Sequence, residues 1–139
     1  MSAEENKAAV QRFGEEAFNN GDLSSSEELI ADAIVDHDPA PGQAPGREGI
    51  EQFVTTMRSA FPDLQTTIDE IIAEGDYVAF RYTIEGTHQG EFMGVAPTGN
   101  RVSVTAMEML RFADGKMVDR WVNTDQLGML QQLDVISQF

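Results

Sequence analysis

A single glutamate interrupts an otherwise apolar face of a predicted strand. In VSVTAMEMLRF, residues 102–112, every second position is Val, Val, Ala, Glu, Leu and Phe. Because successive side chains of a strand point to opposite faces, Glu108 shares the face of its apolar neighbours. Burial favours the neutral carboxyl group, and a carboxyl near its titration point exchanges protons with a carbonyl substrate. The alternative is a carboxylate at the edge of the sheet that reaches solvent or pairs with an arginine.

A second group of acid–base residues lies in VDHDP, residues 35–39. His37 carries an imidazole, the side chain whose unperturbed pKa is closest to neutrality. Asp38 adds a carboxylate directly before the proline. The same residues also fit a turn in which an aspartate caps backbone amides beside an exposed histidine. The pattern leaves both interpretations open.

The last predicted strand carries three polar or aromatic residues with the same parity. These are Trp121, Asn123 and Asp125. Trp121 is either a pocket wall for a flat substrate or the largest residue of the core. Asp125 is either an acid that points inward or the N-cap of the helix LGMLQQL.

Further candidates for substrate binding come from the preceding strand and loop. Phe80 and Tyr82 alternate on one face of a predicted strand, together with other apolar side chains. His88 and Met93 follow in a glycine-rich segment. His88 either contacts the substrate or holds this loop in place.

Metal and cofactor chemistry find little support in the spacing of these residues. His37 and His88 could join Glu108 and Asp125 around a metal, but no element carries ligand spacing, so we predict no metal. There is no nucleophile elbow, P-loop or dinucleotide fingerprint, and no cofactor is expected. The chain has no cysteine, which excludes disulfides and thiolate catalysis.

Composition narrows the class of partner. The chain of 139 residues has 24 acidic and 9 basic residues, for a net charge of −15. Such a surface repels phosphate backbones and anionic membranes, so we expect neither nucleic acid nor membrane as a partner. The N-terminal residues lack the pattern of a signal peptide, which favours a cytoplasmic protein. The length fits a single domain over residues 1–139.

Hydrophobic periodicity predicts helices followed by strands. We expect a helix over residues 2–20, a short second helix around Leu29 and a third helix over residues 47–60. Residues 33–38 form a short extended segment before the Pro/Gly-rich stretch PAPGQAPG. Strands are then predicted over residues 65–73, 77–87, 102–112 and 117–125. This order predicts an α+β fold with helices packed on one face of a curved, mostly antiparallel sheet.

Six segments in this order are similar to one known family: NNGDL, VDHDPAPGQAPGREGI, FPDL, GTHQGEFMGVAPTGN, FADGKMVDRW and DQLGMLQQL. Over residues 5–133 the chain resembles the SnoaL-like polyketide cyclase and ester cyclase family, within the nuclear-transport-factor-2-like superfamily. The resemblance implies a conical α+β barrel around one apolar pocket, with polar pocket residues at the position of Glu108. It also implies a homodimer and a small hydrophobic or polyketide-like substrate.

The chain departs from the family pattern at several positions. Antibiotic-pathway cyclases place a catalytic aspartate where the best match puts Val122, and their pocket histidine falls on Glu108. The general base of the similar ketosteroid isomerases maps onto Asp38, but their tyrosine has no counterpart, since Phe13 and Gly14 occupy that region. The Arg/Asp set of limonene-epoxide hydrolases is not evident.

The resulting hypothesis is a cofactor-independent enzyme that closes a ring by intramolecular aldol chemistry. Glu108 and His37 are the predicted proton carriers, supported by Asp38 and Asp125. Phe80, Tyr82, His88, Met93, Trp121 and Asn123 are the predicted substrate contacts. Binding of a hydrophobic metabolite without turnover, and isomerase or epoxide hydrolase chemistry in the same pocket, are the alternatives.

Overall fold

The computed structural model describes residues 2–137. Four α-helices and one π-helical segment combine with five strands. In chain order they are α1 (Ala3–Phe13), the π-helix (Gly14–Asn19), α2 (Ser26–Leu29), β1 (Ile30–Asp36), α3 (Gly46–Ala60), β2 (Gln65–Glu74), β3 (Tyr77–Thr87), β4 (Arg101–Ala113), β5 (Lys116–Thr124) and α4 (Gln126–Gln132).

The strands form one mixed sheet with the order β1-β5-β4-β3-β2. All neighbouring pairs are antiparallel except β1 and β5, which run parallel. The predicted α+β class is confirmed. The sheet does not close on itself, so helices rather than strand pairing cover its concave side. Within the described residues, no helix is long and apolar enough to cross a membrane.

The first helix begins where the sequence predicts, but it does not stay α-helical over its whole predicted length. Ser2 and Glu5 form a capping box that satisfies free amides at the start of α1. The predicted continuous helix is α-helical only to Phe13, and a π-helix follows. The wider π turn brings side chains five residues apart towards one side. Phe13 and Phe18 therefore meet edge to face, with ring centroids 6.1 Å apart.

The third helix packs over the sheet and carries the Pro/Gly loop, residues 39–45, at its N-terminal end. Ile50, Val54 and Met57 are buried along one stripe, as amphipathic spacing predicts. A Cβ at Gly49 would overlap the carbonyl oxygen of Ala44. Only glycine therefore lets the loop lie this close to the first turn of α3.

The hairpin of β4 and β5 confirms the alternation predicted for β4. Even-numbered positions of β4 from Val102 to Phe112 are buried or half-buried, and the odd positions up to 109 are exposed. Asp114 and Gly115 both adopt positive φ, as a two-residue hairpin turn requires. A register shift lies between Arg111 and Phe112, so strand parity changes along β5.

Candidate active site

A pocket lies between the concave face of the sheet and the helices that cover it. Its cavity volume is about 50 Å³. Its walls are largely apolar, and Glu108 and Arg120 are the charged residues among those that the structure places there. The lining consists of Val10, Phe13, Gly14, Phe18, Ile30, Ile34, Ile50, Phe53, Thr66, Ile68, Phe80, Tyr82, Glu108, Leu110, Met117 and Arg120.

Glu108 points into this pocket from the middle of the sheet. It sits on β4 opposite Phe80 of β3 and Val122 of β5. Its side chain is 11% exposed. The hydroxyl group of Tyr82 donates a hydrogen bond of 2.9 Å to Oε1 of Glu108. A carboxylate and a phenol therefore share one apolar wall.

Arg120 of β5 binds the same carboxylate with two groups. Its Nε donates to Oε2 of Glu108 at 3.0 Å, and its Nη2 donates to Oε1 at 3.3 Å. The other side of the guanidinium faces Asp36 at the end of β1, where Nη1 donates to Oδ2 at 2.8 Å. The side chains of Arg120 and Asp36 are each 7% exposed. One buried cation thus lies between two carboxylates from two different strands.

The charges of this cluster determine which protons can move. Burial alone would lower the pKa of Arg120, but Glu108 and Asp36 outweigh it and raise that pKa. Burial, reinforced by the charge of Glu108, raises the pKa of Tyr82 well above its ordinary value. Arg120 therefore stays a cation and Tyr82 stays a neutral hydrogen-bond donor. Glu108 is the carboxyl group of this cluster that lines the pocket.

Comparison with known proteins identifies the family of the chain. The model of the SnoaL-like polyketide cyclase family matches residues 8–133. The chain belongs to this family. The aklanonic acid methyl ester cyclase AcmA of Streptomyces galilaeus is 32% identical over 133 residues, which cover 91% of this chain and 88% of AcmA.

Two solved structures share the fold and more than a third of the aligned sequence. AclR of Streptomyces galilaeus, a candidate hydroxylase, is 37% identical with a TM-score of 0.85, and the match covers 99% of this chain and 86% of AclR. IdmH of Streptomyces antibioticus, a candidate polyketide cyclase, is 39% identical with a TM-score of 0.80. That match covers 93% of this chain and 98% of IdmH.

The SnoaL-like pocket contains three of the residues predicted from sequence, Glu108, Phe80 and Tyr82. The rings of Phe80 and Tyr82 are stacked at 5.3 Å on neighbouring positions of the wall. Glu108 lies on the inner face of the central strand, so its placement at the edge of the sheet is wrong, although it does pair with an arginine as that alternative allowed. Its catalytic role stays a prediction.

Trp121 and Asn123 lie on the opposite, convex face of the sheet. They pair with the exposed residues Met109 and Met107 of β4. The register shift at Phe112 is the cause. Met117 faces inward, but beyond the shift the even-numbered residues of β5, not the odd-numbered ones, face inward. Neither residue lines the pocket, so the structure adds no support for substrate contact by these two side chains.

His37 and Asp38 also lie outside the pocket lining. The imidazole of His37 stacks on Trp121 with centroids 4.6 Å apart, and its Nε2 lies 2.9 Å from Oδ1 of Asp119. Oδ2 of Asp38 accepts a hydrogen bond of 2.8 Å from the backbone amide of Val122. The turn interpretation of this segment fits its placement, since Oδ1 of Asp36 accepts from the amide of Asp38 at 3.0 Å beside His37, whose side chain is 37% exposed.

The remaining predicted residues have structural contacts away from the pocket. Asp125 caps α4, with its Oδ1 accepting from the amide of Gly128 at 2.9 Å, so its interpretation as an N-cap is confirmed. His88 is fully buried, and its Nδ1 accepts from the amide of Thr98 at 3.1 Å. This contact holds the loop before β4. Met93 lies on that loop and is 58% exposed.

Sequence analysis missed Arg120 and Asp36, which complete the charged cluster. The usable signal for Arg120 was that Val118 and Val122, two positions to either side on the same strand, are apolar, but simple alternation from Met117 directs Arg120 outward. For Asp36 the signal was one more acid in the segment around His37. Residues of β1, β4 and β5 therefore assemble one arginine between two carboxylates. Among residues 2–137, no group of three or more histidines and acids lies close enough to hold a metal ion.

Proposed function

We propose that this SnoaL-like protein catalyses the intramolecular aldol closure of a polyketide-like substrate without a cofactor. The family match supports the reaction class, and the curated relatives AcmA and DnrD are aklanonic acid methyl ester cyclases. The apolar pocket walls suit a hydrophobic, ring-forming substrate. The observation that carries the proposal is one carboxylate, Glu108, held by Tyr82 and Arg120 in that pocket.

In this mechanism Glu108 first removes a proton from the carbon next to a substrate carbonyl. The electron pair of the broken C–H bond forms an enolate, whose carbon attacks a second carbonyl carbon of the same molecule. A new C–C bond closes the ring, and the second carbonyl oxygen becomes an alkoxide. The alkoxide then takes the proton back from the carboxyl group of Glu108. The proton is returned and no electrons are gained or lost, so the chemistry needs no redox partner.

The neighbours of Glu108 hold it and balance its charge. Tyr82 and Arg120 occupy both lone pairs of Oε1, and Arg120 occupies one lone pair of Oε2, which leaves the second lone pair of Oε2 free to accept a proton. The guanidinium of Arg120 keeps a positive charge beside the place where the enolate forms, which stabilises the developing negative charge. It has five N–H donors, three of which bind carboxylate oxygens here.

The direct test is turnover of aklanonic acid methyl ester, followed by chromatography because the cyclised product has the same mass. We expect conversion by the natural protein and a loss of roughly 10²- to 10⁴-fold in Glu108→Gln, the range typical of a general base. Glu70→Gln is the matched control, since Glu70 is an exposed glutamate paired with Arg81 on β2–β3. Equal turnover by Glu108→Gln and the natural protein would remove the role of Glu108. Binding without conversion would favour sequestration of a metabolite.

Epoxide hydrolysis is the second candidate, favoured by the arginine between two carboxylates. Such a set can activate a water molecule while a neighbouring acid protonates the opening epoxide oxygen. A panel of cyclic epoxides and enones, followed by diol or isomer formation, separates this chemistry from aldol closure. Diol formation that is abolished by Glu108→Gln, with no cyclisation, would replace the first proposal.

We further propose that the protein is a homodimer that associates through the part of the convex face around Met107, which leaves the Arg111–Asp119 pair in solvent. Met107 and Met109 on this face are 63% and 37% exposed. Exposed apolar side chains grouped on one sheet face are typical of an interface. Light scattering of the natural protein is expected to give a dimer mass, and Met107→Lys a monomer. A monomeric natural protein at high concentration would contradict the proposal.

A further inference from the structure

Arg120 is shared between two acids, of which one reaches the pocket. Glu108 lines the pocket, whereas Asp36 is not among the lining residues. Asp36 nevertheless accepts the shortest of the hydrogen bonds that Arg120 makes to the two acids, at 2.8 Å. A cation that pairs with a second carboxylate stabilises the first one less, since the two negative charges oppose each other. The buried position of Asp36 therefore bears on the basicity of Glu108.

Asp36 is held on its other side by the Pro/Gly loop. Nε2 of Gln43 donates to Oδ2 of Asp36 at 2.9 Å, the same oxygen that Arg120 binds. Gln43 also anchors the loop itself, because its Oε1 accepts from the amide of Ala40 at 3.1 Å. Gln43 and Phe53 line a small cleft beneath the loop, and Phe53 also lines the pocket. A continuous series of hydrogen bonds thus joins the loop at the pocket border to Glu108.

We propose that Asp36 is a positioning residue that divides Arg120 between two carboxylates and so keeps Glu108 basic, with Gln43 of the Pro/Gly loop adjusting that division. The inference rests on the proposed function, since it concerns proton transfer by Glu108. Asp36 acts through Arg120 and does not touch the substrate.

Few other charged groups lie close enough to Glu108 to change its protonation. Tyr82 faces it from β3, and Arg120 faces it from β5 with Asp36 behind on β1. The pocket residues that α1, the π-helix, α3 and β2 contribute are uncharged, within the part of the chain that the structure describes. A change in the charge of Asp36 is therefore expected to appear in the titration of Glu108.

The test measures protonation without any substrate, so it stands even if the cyclase reaction is wrong. Protein labelled with ¹³C-glutamate is titrated by NMR, and the carboxyl resonance of Glu108 is assigned by its loss in Glu108→Gln. In Asp36→Asn we expect this resonance to titrate roughly one pH unit lower, because a nearby negative charge is lost and Arg120 turns fully to Glu108. An unchanged titration would overturn the proposal.

The matched control removes the same charge from the other face of the sheet. Asp119, the neighbour of Arg120 in sequence, pairs with Arg111 and His37 on the convex face. Asp119→Asn is expected to leave the Glu108 titration within about 0.2 pH units, because solvent screens the convex face. Equal shifts in both variants would contradict a specific role for Asp36.

Two further variants separate positioning from a purely structural role. Gln43→Ala removes a donor from Asp36, so the Asp36 charge is felt more strongly and Glu108 is expected to titrate at higher pH. This opposite sign tests the proposal even if Asp36→Asn does not fold.

Adding Gln43→Glu to Asp36→Asn returns a negative charge to the cluster and is expected to restore at least half of the shift. A downward shift in Gln43→Ala, or no restoration in the double variant, would overturn the proposal.

Discussion

The two faces of β5 carry the same pair of chemical groups in different surroundings. On the concave face Arg120 binds Glu108 and Asp36, with side chains between 7% and 11% exposed. On the convex face Arg111 binds Asp119, which also contacts His37. In this outer pair Arg111 is 38% exposed and Asp119 is 15% exposed. The two clusters contain the same kinds of groups and differ mainly in the exposure of the arginine.

This difference in exposure determines how strongly the charged groups of each cluster depend on one another. Inside, the charges have little water to stabilise them, so each group depends strongly on its partners. Outside, water and salt screen the ion pair, and its loss changes little. The concave cluster is therefore sensitive to every substitution, and the comparison can be tested with matched variants from the two faces.

The largest expected effect comes from removing the shared cation. Arg120→Met leaves Glu108 and Asp36 buried without a counter-charge, which is expected to lower the free energy of unfolding by about 3–5 kcal/mol. Arg111→Met, the matched change on the convex face, is expected to cost at most about 1 kcal/mol. Urea denaturation at pH 7 gives both values. Equal losses would show that burial does not separate the clusters.

The second test uses the two tyrosines, one on each face. Tyr82 has a pKa raised by burial and by Glu108, so above pH 10 the unfolded state loses its proton before the folded state does. The free energy of unfolding should then fall with rising pH, by up to about 1.4 kcal/mol per pH unit from this group. Tyr82→Phe is expected to remove this slope, and Tyr77→Phe on the convex face is the control. A slope that survives in Tyr82→Phe would contradict the assignment.

A smaller effect is expected from the convex carboxylate. The hydrogen bond from His37, followed by that from Arg111, lowers the pKa of Asp119 in the folded state. Its stabilising contribution is therefore present above the ordinary pKa of about 4 and is lost as pH falls through the lowered value. Asp119→Asn should reduce stability by less than about 1 kcal/mol at pH 7, and the difference should vanish near pH 2. Thermal unfolding at both pH values measures this.

The smallest effect on catalysis is expected from His37, the proton carrier predicted from sequence alone. Its imidazole contacts Trp121 and Asp119 on the convex face. We expect His37→Ala to retain turnover of aklanonic acid methyl ester within about threefold, well short of the loss typical of a general base. A loss as large as that of Glu108→Gln would restore the sequence interpretation and would require His37 to reach the substrate.

Local patterns in the sequence were sufficient for much of the fold and for one site residue. The capping box at Ser2, the buried stripe of α3 and the turn at Asp114 each depend on a few neighbouring residues. The direction of Glu108 follows from the alternation of β4, which is also local. The π-helix after Phe13 was not predictable in this way, because its apolar spacing resembles that of an α-helix.

The sequence by itself thus determined that the chain is α+β, that it is SnoaL-like and that Glu108 points inward. Tertiary structure decided which partners Glu108 has. Arg120 faces Glu108 because of a register shift between β4 and β5. Asp36 lies 84 residues from Arg120 in sequence, on β1, which pairs in parallel with β5. Periodicity reports how one segment alternates, whereas register depends on how two distant segments pack. The partners of the carboxylate are for that reason a property of the folded sheet.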